Sequence, residues 1–478
     1  MYELQYPLDE QDRLARLDDF VMRSKTAVFV REIDQLLMIR PDKTMQLNAS
    51  GVAILKAFYN RGEPAQRALS ALSEQLAVER NRLLHDIEQL FDTLRAILNE
   101  DFSSRKNLRF THFDRSAIRY PTLAEIALTY ACNAACKFCY AAAGQQRAKQ
   151  VQAMSTAQVK LVMDKIYHQA HVPSLSFTGG EATLRADLPE LIAHGKALGM
   201  RVNLISNGLR SASESYVKQL IAAGLDSTQI SLEAADAELH DAIVAVPGAF
   251  ARTVSAVRNF QQAGIHVHTN TTLCQANIDV ADDLIRFLAG ELGQRTMSMN
   301  LLIPTGAAGS DEGLGVSYRR LAERLPGLIA AAKTAGIRLV WYSPVPYCIF
   351  NPVLHDLGAK SCACIDGILS VGPDGQVLPC SSFEDGIGSL LERSFEEIYR
   401  SKAARYWREK RFVPPLCREC RNVDVCAGAC PLYWDARGNF AELPGGGKVS
   451  PQQLRRWHRR RKQGASFGVS STPGQTNG

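Results

Sequence analysis

The spacing of apolar and polar positions divides the chain into segments of different structural character. Between residues 27 and 47, short β-rich stretches are broken at Arg40-Pro41-Asp42, which predicts a hairpin. Apolar positions then recur at helical spacing and predict three helices, over about 48–59, after Gly62-Glu63-Pro64 and over about 78–98. A hairpin with three helices in this length predicts a winged-helix-like α+β module.

Strands and helices alternate along the next part of the chain, between about residues 123 and 303. Six stretches predict strands: AEIALTY at 124–130, SLSFT at 174–178, RVNLIS at 201–206, STQISLE at 227–233, HVHTNTTL at 266–273 and TMSMNLLI at 296–303. Amphipathic helices lie between them, for example over 155–170 and 251–263. Six β-α units in series predict an α/β fold, a partial (β/α)6 barrel of parallel strands, with its functional residues at the carboxyl ends of the strands.

The pattern changes again from Cys348 onward. Helical and strand periodicity weakens, Gly and Pro become more frequent, and eight of the twelve cysteines fall between here and residue 431. We expect an irregular cysteine-rich domain that draws stability from metal, followed from about Gly445 by a disordered basic tail. The predicted divisions are therefore a 1–100 winged-helix-like domain, a 101–122 linker, a 123–340 partial barrel, a 341–444 cysteine-rich domain and a 445–478 tail.

Charge and composition exclude several classes of protein. The formal net charge is +6, but residues 448–478 hold seven basic and no acidic residues, so the body of the chain is close to neutral. A broad basic face for nucleic acid is therefore absent from the sequence, and nucleic acid is not an expected partner. No apolar window reaches the ~20 residues of a membrane helix, and the N-terminus does not resemble an export signal. We expect a cytoplasmic protein with no membrane partner, whose clustered cysteines serve metal or redox chemistry.

Three cysteines follow the first strand of the predicted barrel, in the order Cys132-x3-Cys136-x2-Cys139. Three thiolates within eight residues can converge on one small site. They are one ligand too few for a closed tetrahedral zinc site or a fully ligated cubane cluster, so an iron would keep an open position. The alternative is a structural zinc site completed by a distant His.

Polar and glycine residues stand at the ends of the following strands. Gly179-Gly180-Glu181 ends the second strand, where paired glycines let a ligand approach the backbone and a carboxylate can hold an ammonium group. Ser206-Asn207 ends the third strand, Ser231-Leu232-Glu233 the fourth, and Asn270 lies on the fifth. These groups would share one end of the sheet, where ribose hydroxyls and a carboxylate could bind.

With these motifs in register, residues 123–303 resemble the radical S-adenosylmethionine enzymes. The resemblance implies that Cys132, Cys136 and Cys139 hold a [4Fe-4S] cluster whose fourth iron chelates S-adenosylmethionine. It implies that Phe138 lies near the adenine and that the Gly-Gly-Glu motif binds the methionine amino group. One departure is Ala182, where many members have Pro. The cofactor-binding residues so predicted are Phe138, Gly179, Gly180, Glu181, Ser206, Asn207, Ser231 and Asn270.

The cysteine-rich region resembles the SPASM extension of the same superfamily, which holds auxiliary iron–sulfur clusters. By that resemblance Cys364, Cys380 and Cys430 bind one cluster together with either Cys348 or Cys362. A second cluster would have Cys417, Cys420 and Cys426, and its fourth ligand is absent, is not cysteine, or is the spare among Cys348 and Cys362. No cysteine follows Cys430, which departs from the seven-cysteine pattern of the family. A zinc ribbon over 417–430 is the alternative. Cys274 stands apart and is expected to be a small buried side chain.

The resemblance also implies the chemistry. A reduced cluster cleaves S-adenosylmethionine to methionine and a 5′-deoxyadenosyl radical, which abstracts hydrogen from an unactivated carbon, and the auxiliary clusters accept an electron or bind substrate. A flavodoxin or ferredoxin is the expected reducing partner. No acid–base residue can be identified, since Asp366, Asp374 and Glu384 are better explained as turn or surface carboxylates. The motif Trp341-Tyr342-Ser343-Pro344 could line the substrate cavity, but its aromatic residues are expected to pack in the core.

The N-terminal stretch LLMIRPDKTMQLNASGVAILKAF resembles the small peptide chaperone of pyrroloquinoline quinone biosynthesis, over about residues 28–98. Such elements bind a leader peptide as an added strand. We therefore predict a maturase that crosslinks or dehydrogenates a ribosomally made precursor peptide. One alternative is radical modification of a folded protein or small metabolite. Another, from a different class, is an iron–sulfur redox sensor that binds DNA.

Overall fold

The computed structural model describes residues 9–40, 43–99, 117–141, 150–310 and 313–466. The chain divides into two compact units, Met1–Tyr120 and Pro121–Gly478. Within the described residues, no helix combines the length and the apolar character that crossing a bilayer requires.

The N-terminal unit contains a three-stranded antiparallel sheet in the order β1-β2-β3. Its strands are β1 (Val28–Arg31), β2 (Leu36–Ile39) and β3 (Lys43–Gln46), and its described helices are α1 (Glu10–Ser24), α2 (Ala49–Leu55), α3 (Ala65–Leu76) and α4 (Arg80–Leu98). The chain continues from α2 through a wider turn over Lys56–Asn60. A shared apolar core joins the helices to one face of the sheet and includes the fully buried Phe58, Leu69, Leu84 and Phe91.

Most of these elements lie where the pattern predicts them. Helices α2, α3 and α4 match the three predicted helices, and β2 and β3 form the predicted hairpin, whose Pro41 and Asp42 lie outside the described residues. Helix α1 is not predicted by the sequence pattern. Its first turn is capped because the Asp9 carboxylate accepts from the N–H of Asp12 at 2.8 Å. Alternating charges hide its narrow apolar stripe, of which Leu14 and Leu17 are buried.

A buried ion pair holds the end of this unit. Arg31 and Asp34 pair at 2.8 Å with almost no exposure, and Asp34 also accepts from the N–H of Arg119 at 3.0 Å. Arg31 donates to the carbonyl oxygen of Tyr120 at 2.8 Å. The segment that we expected to be a linker over 101–122 is therefore fixed to the N-terminal unit at residues 119 and 120.

The second unit is built on one nine-stranded sheet in the order β10-β9-β8-β7-β6-β5-β4-β11-β12. Its strands are β4 (Leu123–Ala127), β5 (Ser174–Thr178), β6 (Arg201–Ser206), β7 (Ser227–Ser231), β8 (His266–Leu273), β9 (Thr296–Leu301), β10 (Arg338–Trp341), β11 (Ile368–Val371) and β12 (Val377–Leu378). The six predicted strands are β4 to β9, adjacent and parallel, so the predicted partial barrel of parallel strands is confirmed.

Helices cover this sheet and continue into the C-terminal region. The helices that follow the strands are α5 (Thr156–His168), α6 (Leu188–Ala197), α7 (Glu214–Ala222), α8 (Ala237–Val244), α9 (Ala249–Gln262), α10 (Ala281–Gly290) and α11 (Tyr318–Thr334). Those of the cysteine-rich region and beyond are α12 (Phe395–Tyr399), α13 (Lys402–Arg408), α14 (Val423–Cys426), α15 (Pro431–Arg437) and α16 (Pro451–Ser466).

The cysteine-rich region is less irregular than its sequence predicts. Strand β11 pairs in parallel with β4, with Ile368 opposite Leu123, and β12 pairs with β11. Strand β10 extends the opposite edge beyond β9, and Trp341 at its end is fully buried, as its predicted packing role requires. The same prediction is wrong for Tyr342, which is 46% exposed. The sheet therefore runs from the partial barrel into the cysteine-rich region.

The predicted disordered tail is wrong over residues 451–466, which form α16. Trp457 is 3% exposed, and its Nε1 donates to the carbonyl oxygen of Phe412 at 2.6 Å. His458 pairs with Asp435 at 2.8 Å, and Arg461 pairs with the same carboxylate. The high arginine content concealed one buried aromatic that anchors the helix.

Candidate functional site

The loop that follows β4 carries the first three cysteines, and backbone hydrogen bonds hold it on two sides. The N–H groups of Ala135 and Lys137 donate to the carbonyl oxygens of Val244 and Ile243 at the end of α8, both at 3.1 Å. The carbonyl oxygen of Cys139 accepts from Ala307 at 2.9 Å. Because these anchors are backbone groups, no residue type in the sequence signals them.

The Gly179-Gly180 pair packs directly against the start of this loop. Gly180 N donates to the carbonyl oxygen of Thr129 at 2.6 Å, and Glu181 N donates to that of Ala131 at 2.9 Å. A Cβ on Gly179 would lie 2.3 Å from the Thr129 oxygen, and one on Gly180 would lie 2.3 Å from the Ala131 oxygen. The glycines are thus required where two backbone segments meet.

Glu181 joins the ends of β5 and β6. Its Oε1 accepts from Ser206 Oγ at 2.9 Å and from Thr183 Oγ1 at 2.7 Å, and its Oε2 accepts from the N–H of Asn207 at 2.8 Å. The side chain is 1% exposed, and burial raises the pKa of its carboxyl against the opposing effect of these hydrogen bonds. Its oxygens are thus engaged by the protein, which makes Glu181 the fixed centre around which the Ser206-Asn207 loop is oriented.

Asn207 connects this centre to the cysteine loop. Its Nδ2 donates to Asn133 Oδ1 at 2.8 Å and contacts Cys132 Sγ at 3.8 Å. Burial raises the pKa of the Cys132 thiol to about 11, and the Glu181 and Cys139 charges act in the same direction. Burial also raises the pKa of Cys136, with contributions from Glu233 and the other two thiols. Three thiols, Glu181, Ser206 and Asn207 therefore form one contiguous group.

The remaining predicted cofactor residues stand further along the sheet. Ser231 ends β7 directly opposite Asn270 of β8. Asn270 is 9% exposed, donates to Asn300 Oδ1 at 2.9 Å and accepts from Ser298 Oγ at 2.9 Å. Phe138 packs beside Leu302, Ala308 and the buried Cys274, in agreement with the packing role expected for that cysteine. In the described structure these residues are not hydrogen-bonded to the Glu181 group.

Glu233 is a site residue whose individual role the sequence pattern does not predict. It follows β7, is 3% exposed, and accepts from the N–H of Thr272 at 2.8 Å. Burial raises the pKa of its carboxyl to about 8, and its charge acts on both Cys136 and Cys274. The sequence did show a carboxylate immediately after a strand end, which could have marked Glu233 as a site residue. The burial of Glu233 could not be predicted from the pattern.

Four cysteines of the C-terminal region form a group that we name the first cysteine set: Cys362, Cys364, Cys380 and Cys430. The Sγ atoms of Cys362 and Cys364 lie 3.3 Å apart, and Cys364 is also hydrogen-bonded to Cys380. Cys430 lies within electrostatic reach of Cys362 and Cys380. The hydrogen bond with Cys364 lowers the pKa of Cys362 against its burial, aided by the Lys410 ammonium.

The other four form the second cysteine set: Cys348, Cys417, Cys420 and Cys426. The N–H of Tyr347 donates to Cys426 Sγ at 3.4 Å, which brings the neighbouring Cys348 to this group. Burial raises the pKa of Cys417 to about 12, and the charges of Cys426, Cys348 and Cys420 add to that effect. Of the two positions left open by the sequence, Cys362 thus lies in the first set and Cys348 in the second.

The donor chemistry of all three groups fits iron–sulfur clusters. Thiolates are their usual ligands, three at a site with one open iron and four at a closed site. Among the residues that the structure describes, no three Cys, His, Asp or Glu side chains converge as the ligands of a single metal ion do.

Two protein-family models match the chain. The Radical SAM superfamily model matches residues 126–288, and the model of the SPASM iron-sulfur cluster-binding domain matches residues 362–421. The first match spans the cysteine loop and the strand ends described above. The second includes three cysteines of the first set and two of the second.

Named relatives agree with these matches. An AdoMet-dependent heme synthase of Oleidesulfovibrio alaskensis is 31% identical over 333 residues, which are 66% of this chain and 84% of the relative. A PqqA peptide cyclase of Methylocella silvestris is 27% identical over 315 residues, or 63% of this chain and 80% of the relative. Both names denote enzymes.

Solved structures share the fold. Streptococcus suis SuiB bound to S-adenosylmethionine superimposes with a TM-score of 0.62 at 14% identity, over 85% of this chain and 97% of SuiB. The enzyme anSMEcpe with bound AdoMet has a TM-score of 0.53 at 15% identity, over 72% of this chain and 99% of that chain. A radical SAM domain holds a [4Fe-4S] cluster and S-adenosylmethionine, and a SPASM domain holds auxiliary iron–sulfur clusters. The chain is therefore an enzyme that belongs to the radical SAM superfamily and carries a SPASM domain.

Proposed function

We propose that this enzyme oxidatively modifies a ribosomally made precursor peptide, whose leader is bound by the N-terminal unit. The observation that carries the proposal is the open edge of β3 in that unit. Strand β1, at the other edge, is covered because Asn60 Nδ2 donates to the carbonyl oxygen of Val30 at 3.0 Å. Strand β3 has no further strand partner among the described residues.

The register of the hairpin identifies which backbone groups of β3 are available. The N–H of Leu47 donates to the carbonyl oxygen of Gln35 at 2.8 Å, and Met45 stands opposite Leu37. Since hydrogen-bonded and non-hydrogen-bonded pairs alternate in an antiparallel ladder, Thr44 and Gln46 direct their backbone groups away from β2. An extended peptide could add to the sheet at these two residues.

The comparisons support a peptide substrate. One relative is named for a peptide that it cyclises, and SuiB has been solved with its precursor peptide SuiA. Residues from Pro121 onward make up about 75% of this chain, so the 85% covered by SuiB extends into the N-terminal unit. The regulator alternative has no such support, since the family consists of enzymes.

In this proposal the protein binds the cofactors and the peptide, orients them, and shields the radical from water. When bound, the cluster and S-adenosylmethionine supply the 5′-deoxyadenosyl radical by one-electron cleavage of the sulfonium. Cys132, Cys136 and Cys139 would hold that cluster, and Glu181 would hold the Ser206-Asn207 loop against it. The first and second cysteine sets would each hold an auxiliary cluster able to take the electron released by the substrate. A flavodoxin or ferredoxin would supply the reducing electron.

A second candidate function is radical modification of a tetrapyrrole. The relatives named as heme synthases favour it, since they are 28–31% identical over two thirds of this chain. In that case the open edge of β3 would have no part in substrate binding.

A proline substitution on β3 distinguishes the two candidate functions experimentally. Thr44→Pro removes an N–H that faces the open edge and leaves the ladder to β2 intact, whereas Thr44→Val keeps the N–H and serves as its matched control. The assay follows 5′-deoxyadenosine and peptide mass, with a peptide encoded by a short reading frame beside the gene, offered with and without its leader. We expect the wild type and Thr44→Val to remove two hydrogen atoms from the leader-bearing peptide and Thr44→Pro to lose this activity.

Two results would reject the peptide proposal. One is equal turnover of the leader-bearing peptide by Thr44→Pro and Thr44→Val. The other is 5′-deoxyadenosine formation that responds to a tetrapyrrole and to no peptide.

A further inference from the structure

The side chain of Lys410 contacts the loop that carries two members of the first cysteine set. Its Nζ donates to the carbonyl oxygen of Cys362 at 2.7 Å and to that of Cys364 at 3.4 Å. It also pairs with Asp366 Oδ1 at 2.8 Å, and its side chain is only 10% exposed. A cationic side chain is therefore held close to the backbone of two cysteines.

The backbone at Lys410 forms the turn that ends helix α13. Helix α13 ends just before it, and the N–H groups of Lys410 and Arg411 donate to the carbonyl oxygens of Trp407 and Tyr406. Lys410 itself has φ of 51°, a left-handed conformation in which glycine is strongly preferred after a helix.

A buried positive charge affects a nearby iron–sulfur cluster in a defined direction. Reduction adds one negative charge to the cluster, so a cation beside its ligands stabilises the reduced form and raises the reduction potential. Charges and hydrogen bonds around the ligands are among the groups through which a protein adjusts a metal site. The hydrogen bonds to Cys362 and Cys364 also fix the position of the ammonium relative to both ligands.

We propose that Lys410 raises the reduction potential of the auxiliary cluster held by the first cysteine set. Lys410 is a positioning and charge-bearing residue that does not itself touch the substrate. The inference rests on the proposed ligand set and is independent of the identity of the substrate. Asp366 acts in the opposite direction, since its carboxylate offsets part of the charge of Lys410.

The test uses the full chain with Cys132, Cys136 and Cys139 replaced by Ala, so that only the auxiliary clusters contribute. Midpoint potentials are measured by redox titration with electron paramagnetic resonance, in the absence of any peptide. Lys410→Gln is expected to shift one of the two potentials to a more negative value, and Asp366→Asn is expected to shift the same potential to a more positive value. Lys410→Arg keeps the charge and should remain close to the parent.

The second auxiliary cluster serves as the internal reference. The proposal is overturned if Lys410→Gln and Asp366→Asn leave both potentials unchanged, or if they move both equally. Iron and sulfide contents show whether each variant still holds both clusters. If Lys410→Gln lost a cluster, Lys410→Met, which keeps the apolar stem of the side chain without its charge, would be titrated in its place. A parent that binds no auxiliary cluster would instead reject the ligand sets.

Discussion

The N–H of Tyr347 donates to the Sγ of Cys426 at 3.4 Å, although 79 residues separate them in the chain. This contact draws the segment before residue 348 onto the loop that carries Cys417, Cys420 and Cys426. The absence of a cysteine after Cys430 left the second cysteine set one member short of a closed site. The contact places Cys348 where it can complete that set.

Replacing Cys348 should therefore remove one auxiliary cluster. After anaerobic reconstitution, we expect Cys348→Ala to contain about four fewer iron atoms per chain than the wild type, since a closed [4Fe-4S] site depends on all of its ligands. Cys274→Ala is the matched control, because Cys274 is buried in an apolar cluster away from both sets. Full iron content in Cys348→Ala would contradict the assignment.

Gly180 should tolerate no side chain. The Cβ of Gly180→Ala would lie 2.3 Å from the Ala131 oxygen and 2.7 Å from the Tyr130 oxygen, both of them backbone atoms that cannot move independently of the cysteine loop. We expect 5′-deoxyadenosine formation to fall by about 100-fold or more, as displaced reacting groups commonly cause.

The control for this change is Gly327→Ala in α11. A Cβ at Gly327 would meet no atom within 4 Å, so this variant should keep full activity and gain about 0.5–1 kcal/mol in helix stability. Similar activities of the two variants would show that the packing of Gly180 is not required.

Glu233 should make the apo protein less stable as the pH rises above neutral. Its folded-state pKa is raised to about 8 by burial, so between its unfolded value and pH 8 the native state holds the extra proton, and stability falls with rising pH. Below about pH 6.5 the neighbouring His240 opposes this trend, because burial lowers its pKa to about 4. The other titratable groups that face Glu233 are Cys136 and Cys274.

The window from about pH 6.5 to 8 therefore isolates Glu233. We expect the unfolding free energy of the wild type to decrease across it by on the order of 1–2 kcal/mol more than that of Glu233→Gln, which keeps the acceptor for the N–H of Thr272. Chemical denaturation of both apo proteins at several pH values measures this difference. Parallel curves would show that the carboxyl group does not titrate there.

Trp457 should hold α16 on the cysteine-rich region. Removing its buried ring and its hydrogen bond to Phe412 should cost about 3–5 kcal/mol, enough to detach the helix. Limited trypsin digestion measures detachment, because Arg455 and Arg459 become cleavable when the helix opens. Trp457→Ala should be cut at these sites much faster than Gln452→Ala, whose side chain is exposed. Equal rates would mean that α16 is not anchored by Trp457.

The sequence predicts the features of this protein that depend on local pattern. Alternating and helical periodicities located β4 to β9 and the polar residues that end them, because each strand and its end are encoded in adjacent positions. Pairings between distant segments were not predictable in this way. The contact of β11 with β4 joins residues 245 positions apart, and the two sets of four cysteines span 68 and 78 positions. No short motif encodes these pairings.

The roles of single residues in unusual surroundings also could not be predicted from the sequence. Trp457 lies among arginines whose pattern is typical of a solvated tail, and one buried ring outweighs that composition. Lys410 sits in a sequence with no motif, and its role becomes visible only through its contacts with Cys362 and Cys364.

The pairing of β11 with β4 has a consequence for how this enzyme could be recombined. Ser370 of β11 donates to Glu125 of β4 at 2.6 Å, so the two halves share a sheet and a polar contact within it. A chimera that exchanged residues 362–421 for those of a relative would replace both strands β11 and β12 and leave Cys348, Cys426 and Cys430 with the recipient. The segment that matches the SPASM family model is therefore not the segment that could be exchanged as a folded unit. A functional chimera would also have to carry residues of β4 that are compatible with the new β11.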